Sequence, residues 1–124
     1  MKLSRAQSKV MEEAKRKIDF ARTHSLREWA EQQTNITPEF VQRQIELGKN
    51  RRSEEETRQI YDNCVRDYMN NYGRYYEDCK RCIVLCSCVN SRTLQKLESL
   101  GLIKIMYDSS GESVGIDTIK VLNY

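Results

Sequence analysis

Asn90-Ser-Arg-Thr-Leu-Gln-Lys-Leu-Glu-Ser-Leu-Gly-Leu-Ile-Lys-Ile-Met-Tyr107 changes its periodicity at one glycine, and that change decides how the chain reads. Before Gly101, Leu94, Leu97 and Leu100 recur at helical spacing and give one apolar stripe. Asn90 or Ser91 is placed to cap the helix start, because either side chain can accept from an orphan N–H one turn on. Gly101 stands where a helix C-terminus calls for a left-handed residue, with Leu102 placed to pack back on the last turn. From Leu102 to Tyr107 the residues become β-branched and aromatic at strand spacing. Asp108-Ser-Ser-Gly-Glu-Ser113 has turn chemistry. Val114 to Tyr124 then reads as a second strand, Ile116, Thr118 and Lys120 on one face, Ile119 and Val121 on the other. The segment is a helix, a stop and a β-hairpin.

Working outward, four more helices are expected upstream. Residues 4–23 open with Ser4 and Gln7 at capping-box spacing and keep Ala6, Val10, Met11, Ala14, Ile18 and Ala21 on one face. Lys9, Lys15, Arg16 and Lys17 lie mostly off that face, as a solvated basic surface or as phosphate contacts. Ser25 with Glu28 caps a short helix whose buried side is Leu26, Trp29 and Ala30. Trp29 reads as a core anchor rather than a base-stacking platform. Thr37-Pro38 begins a third helix, with Phe40, Val41, Ile45 and Leu47 as contacts and Gly48 as its end. Ser53-Glu-Glu-Glu56 opens a fourth, which carries Thr57, Ile60, Tyr61, Cys64, Val65, Tyr68 and Tyr72 down to Gly73. Tyr75 and Tyr76 prolong the aromatic run, which is core, a helix seam or a partner surface.

With 124 residues the chain suffices for one core and is short for two. The formal net charge is +3. All of that excess lies in residues 1–60, where thirteen Lys/Arg face ten Asp/Glu. This is too mild to be an electrostatic footprint for nucleic acid by itself. No apolar run approaches the roughly 20 residues of a membrane helix, and the first residues lack a signal-peptide core, so a cytoplasmic protein is expected.

Catalytic chemistry finds no foothold. His24 is the only histidine and has no serine or cysteine beside it in a recognisable arrangement. Neither a glycine-rich phosphate loop nor a nucleophile motif is present, so no catalytic residue and no cofactor is expected. The cysteines cluster as Cys79-Lys-Arg-Cys82-Ile-Val-Leu-Cys86-Ser-Cys88. Cys79 and Cys82 have zinc-knuckle spacing, but the second pair follows far sooner than a zinc site uses. Buried thiols in a short apolar run of Cys82 to Cys86, a redox sensor and a metal site are the readings, with no metal expected.

The helix from Ser91 to Leu100, then Gly101-Leu-Ile103 and a hairpin, resembles the end of a winged helix-turn-helix domain, where a recognition helix leads into the wing. The resemblance implies a preceding helix joined by a short turn. Glu77 to Cys86 is the candidate, Ser87 to Asn90 the turn, and the alternative is that Ile83 to Cys86 is a strand pairing with the hairpin. It further implies that Arg92, Gln95 and Lys96 face DNA, with Ser91 and Thr93 donating to phosphates. Two departures stand out: a helix about one turn short, and an acidic tip at Asp108 to Glu112 where a wing is basic. The Ser91-Arg-Thr-Leu94 pattern, Met1 to Gln7 and Asp19-Phe-Ala-Arg22 also resemble small proteins without assigned activity from phages and prophages of Gram-positive bacteria, residues 35–80 remaining unmatched.

The expectation is therefore a helix-rich α+β fold as a single domain over 1–124, helical over 1–73 and winged-helix-like over 74–124. Its expected function is non-enzymatic binding of duplex DNA by a phage or prophage regulatory or accessory factor. The alternative is an adaptor or inhibitor that binds a host or phage protein through the Tyr-rich helix 53–72.

Overall fold

The computed structural model describes residues 2–86, 89–106 and 118–124. It contains α1 (Arg5–Thr23), α2 (Leu26–Thr34), α3 (Pro38–Gly48), α4 (Glu54–Lys80), β1 (Ile83–Leu85), α5 (Ser91–Ser99), β2 (Ile103–Ile105) and β3 (Thr118–Val121). The fold is helix-rich α+β with a small antiparallel sheet. The chain divides into two compact units, one of residues 1–23 and 77–124, the other of residues 24–76. Helix α1, which opens the part of the sequence read as helical, groups with residues 77–124.

In the first unit, α1 starts as a reciprocal capping box. The Gln7 N–H donates to Ser4 Oγ at 3.2 Å and the Ser4 N–H donates to Gln7 Oε1 at 2.8 Å. Val10, Met11, Ala14, Ile18 and Ala21 are buried as expected, whereas Ala6 is exposed. The sheet order is β1-β3-β2, all antiparallel. Its inner face is two rows deep. Val84, Ile119 and Ile105 form one row by register. Cys82, Val121 and Ile103 form the other, the Val121 N–H donating to the Cys82 carbonyl at 2.8 Å. All six are buried, and α1 and α5 pack on the sheet, with Ile18, Leu94 and Leu97 at 0 % exposure. Alternation along each strand forces this, since neighbouring side chains point to opposite faces.

The expected helix from Glu77 to Cys86 does not exist. Helix α4 ends at Lys80, Cys82 takes a left-handed conformation at φ 69°, and Ile83–Leu85 is a strand. The strand alternative is the one found. Pairing with β3 buries Val84 against Ile119, a gain that a helix here would forgo. Leu85, read as part of a buried run, is 40 % exposed, because alternation turns it to the outer face.

The second unit holds α2, α3 and residues 54–76 of α4. Ser25 and Glu28 complete a capping box on α2, and Thr37 caps α3 with Pro38 in its first turn. Trp29 is buried between Tyr68 and Tyr76, ring centroids at 5.7 and 5.8 Å. Two expectations fail here. Leu47 is 74 % exposed, the buried residue of α3 being Ile45. Gly48 ends α3 as expected, with the cap residue Lys49 right-handed at φ −57°. Gly73 does not end α4: the helix runs through it for 27 residues in all. A glycine in a helix interior costs only about 1 kcal/mol. The tertiary contacts of the flanking tyrosines and of Leu26, which lies over Gly73, outweigh that.

Candidate functional site

Asn90 is the N-cap of α5, its side chain accepting from the Arg92 N–H at 2.8 Å. Ser91 is therefore the first helical residue, half-buried with Thr93 in the first turn. At the other end the chain leaves α5 by a Schellman motif. The Gly101 N–H donates to the Glu98 carbonyl at 2.9 Å and the Leu102 N–H to the Leu97 carbonyl at 3.2 Å, with Gly101 at φ 77°. Both ends are thus fixed by local bonds, and the roll of the helix is fixed by Leu94 and Leu97, fully buried against the sheet and α1. Leu100, the third residue of the expected stripe, is only half-buried.

This roll turns Arg92, Gln95 and Lys96 to solvent. Glu98 is the only acidic residue of α5, and it faces elsewhere: its carboxylate accepts from the Ile105 N–H at 2.7 Å. The outward surface of α5 therefore carries two cations, an amide and no carboxylate of its own helix. Such a set can pair with phosphate oxygens and with base edges that offer acceptors. The expected hairpin tip, where a wing would make its contacts, falls at 107–117, outside the described residues. So do the first part of the expected second strand and Cys88.

The other described cysteines do not form an open site. Cys79, Cys82 and Cys86 are each 8 % exposed, and Cys64 is exposed. Burial pushes the Cys79 and Cys86 thiols above their ordinary value, with Lys17 opposing the rise in both. Cys82 Sγ accepts from Arg22 Nη2 at 3.0 Å, and the same guanidinium donates to the carbonyls of Lys80 and Tyr124. Among the described residues, no group of three or more His, Cys, Asp and Glu is arranged to hold a metal ion.

Two features extend what the sequence stated. The first is a row of rings on α4: Tyr68 and Tyr72 at 4.7 Å, Tyr72 and Tyr75 at 6.1 Å, running from buried Trp29 to Tyr72 at 44 % exposure. Burial, and after it the neighbouring Tyr72 and Tyr75, raise the Tyr68 hydroxyl above its ordinary value. Helical spacing was the available signal for this row, but not which tyrosines would be left in solvent. The second is a cavity of about 610 Å³ between α2, α3 and α4, lined among others by Arg27, Val41, Arg58, Tyr61 and Asp62. Both arginines are engaged there, Arg27 with Asp62 at 2.7 Å and Arg58 with Glu54 at 2.8 Å.

No protein-family model matches the chain, and no curated protein and no solved structure shows significant similarity to it. No helix among the described residues is long and apolar enough to cross a membrane.

Proposed function

We propose that this chain is a non-enzymatic DNA-binding protein, a regulatory or accessory factor of a bacterial cytoplasm, in which α5 enters the major groove of duplex DNA. The observation that carries the reading is the outward face of α5, cationic and amide-bearing at Arg92, Gln95 and Lys96 while its one carboxylate is tied to Ile105. The rigid exit at Gly101 into β2 and the antiparallel β2–β3 pair support a winged-helix-like reading of the unit. It departs from that family in having the strand β1, and not a helix, as the element before α5. Arg92 and Lys96 are assigned to phosphates and guanine edges, Gln95 to adenine, and Ser91 and Thr93 to the backbone.

Anisotropy titration of labelled random-sequence duplex at two salt concentrations tests the reading. Binding that weakens as salt rises supports it. Absence of binding at low salt removes it. A second reading, a protein-binding adaptor acting through α4, is favoured by the exposed ring of Tyr72. An alanine at Tyr72 that leaves DNA binding intact separates the two.

A further inference from the structure

We propose that the outer face of the β1-β3-β2 sheet docks an acidic amphipathic helix of a partner protein. The strand registers set that face out as a grid. One row across the sheet is Ile83, Lys120 and Lys104, and the next is Leu85, Thr118 and Met106, where the Met106 N–H donates to the Thr118 carbonyl at 2.9 Å. Each of these residues alternates with a buried one. Lys104, Lys120 and Leu85 are exposed, while Ile83, Thr118 and Met106 are half-exposed.

Two properties of the grid single it out. Lys104 and Lys120 are direct cross-strand partners on one face, and like charges placed so are destabilising. Among the described residues neither makes an ion pair. Beside them, β1 presents Ile83 and Leu85 instead of polar residues, although a sheet face open to water normally carries the polar half of the pattern. A face that costs charge repulsion and exposes aliphatic side chains fits an occupant offering carboxylates over the lysines and leucine-like residues over β1.

Geometry selects a helix. Two strand spacings give a face about 9.5 Å wide, close to the roughly 10 Å diameter of a helix. Covering the second face of a sheet with helix is also how layered folds bury it. A second copy of this chain brings no carboxylate to the lysines, since the face itself carries none. An anionic membrane is the competing occupant, which the vesicle arm of the test below separates. The face lies opposite the one that carries α5, so the proposal does not depend on DNA binding.

The probe is a helical peptide of about five turns built of Leu, Glu and Ala with one leucine stripe. Its control has Lys in place of Glu. In methyl NMR of the full chain, the acidic peptide should move the Ile83, Leu85 and Met106 signals and the control should not. Lys104→Glu with Lys120→Glu should weaken the acidic peptide roughly tenfold or more and confer binding of the control. Lys104→Gln, which leaves the strand uncharged at one site, guards against loss of fold. Shifts confined to other methyls, or equal binding by wild type and the double variant, would overturn the proposal. So would displacement of the same methyl signals by phosphatidylserine vesicles alone, or by concentration-dependent dimerisation.

Discussion

Glu98, the only acid of α5, spends its carboxylate on the backbone N–H of Ile105 at 2.7 Å. That N–H points away from β3, because the neighbouring Met106 N–H is the one bonded across the ladder. Glu98 therefore closes the free edge of β2 and clears the outward face of α5 of negative charge at one stroke. Glu98→Ala should destabilise the chain by about 1–3 kcal/mol, the cost of a part-buried donor left unmade. Glu98→Gln, which keeps an acceptor, should cost less. Urea melts of the two variants decide this, and a Glu98→Ala variant that melts like the parent would mean that the bond contributes nothing.

Gly101, just past α5, and Gly73, inside α4, should respond to alanine with opposite signs. Gly101 sits at φ 77°, where a Cβ is strained whatever the space around it, so Gly101→Ala should cost on the order of 1 kcal/mol. At Gly73 an added Cβ meets only the Leu26 methyls at 3.7 and 3.8 Å, which is ordinary contact. Gly73→Ala should then stabilise α4 by about 0.5–1 kcal/mol through helix propensity. Thermal melts showing the same sign for both would contradict the assigned backbone of one of them.

What the sequence disclosed and what it hid divides by range. Ser4 with Gln7, Ser25 with Glu28, Thr37 with Pro38, and Gly101 are signals whose partners lie within one turn, and all four are where their chemistry puts them. Periodicity alone marked the buried residues of α1 and α5, though it also took in exposed Ala6 and half-buried Leu100. Ile83-Val-Leu85 was ambiguous because its strand character depends on Ile119, far along the chain. The guanidinium of Arg22 reaching Cys82 and Tyr124, and Lys104 falling opposite Lys120, are likewise products of a register that no local pattern states. Within the candidate site the polar face of α5 was legible. The removal of Glu98 from it was not, since that required knowing which edge of β2 is free.

Burial sets the pH response of the cysteines. The ordinary thiol value is 9.0, and desolvation holds Cys79 and Cys86 above it in the folded chain. Above that pH the unfolded chain releases these protons while the native thiols keep theirs, so ionisation favours unfolding. Their contribution is complete below pH 9.0 and is lost as the pH rises toward the folded values. Denaturant melts at pH 8 and pH 10 should show a steeper loss for the parent than for a Cys79→Ala, Cys86→Ala variant. In the native state a thiol-reactive dye should modify exposed Cys64 well before either buried cysteine.

Arg92 and Lys96 decide the functional reading. Both are exposed on α5, and neither side chain takes part in the bonds that fix its ends, since Asn90 caps through the Arg92 backbone N–H and Lys96 contributes only its carbonyl, which accepts from Leu100 and Ser99. Alanine at both positions should leave the fold intact, because alanine is the best helix former and no side-chain bond is lost. Each phosphate contact removed lowers the magnitude of the slope of log affinity against log salt by about 0.9. The double variant should therefore bind duplex DNA more weakly, with a salt slope shallower by up to about two. Leu97→Ala is the contrasting change: it opens a cavity at a fully buried position and should cost about 2–5 kcal/mol of stability. A folded Arg92→Ala, Lys96→Ala protein that binds DNA with the parental slope would exclude α5 as the reading element. A Leu97→Ala protein that melts like its parent would show that the leucine stripe is not what holds α5 in place.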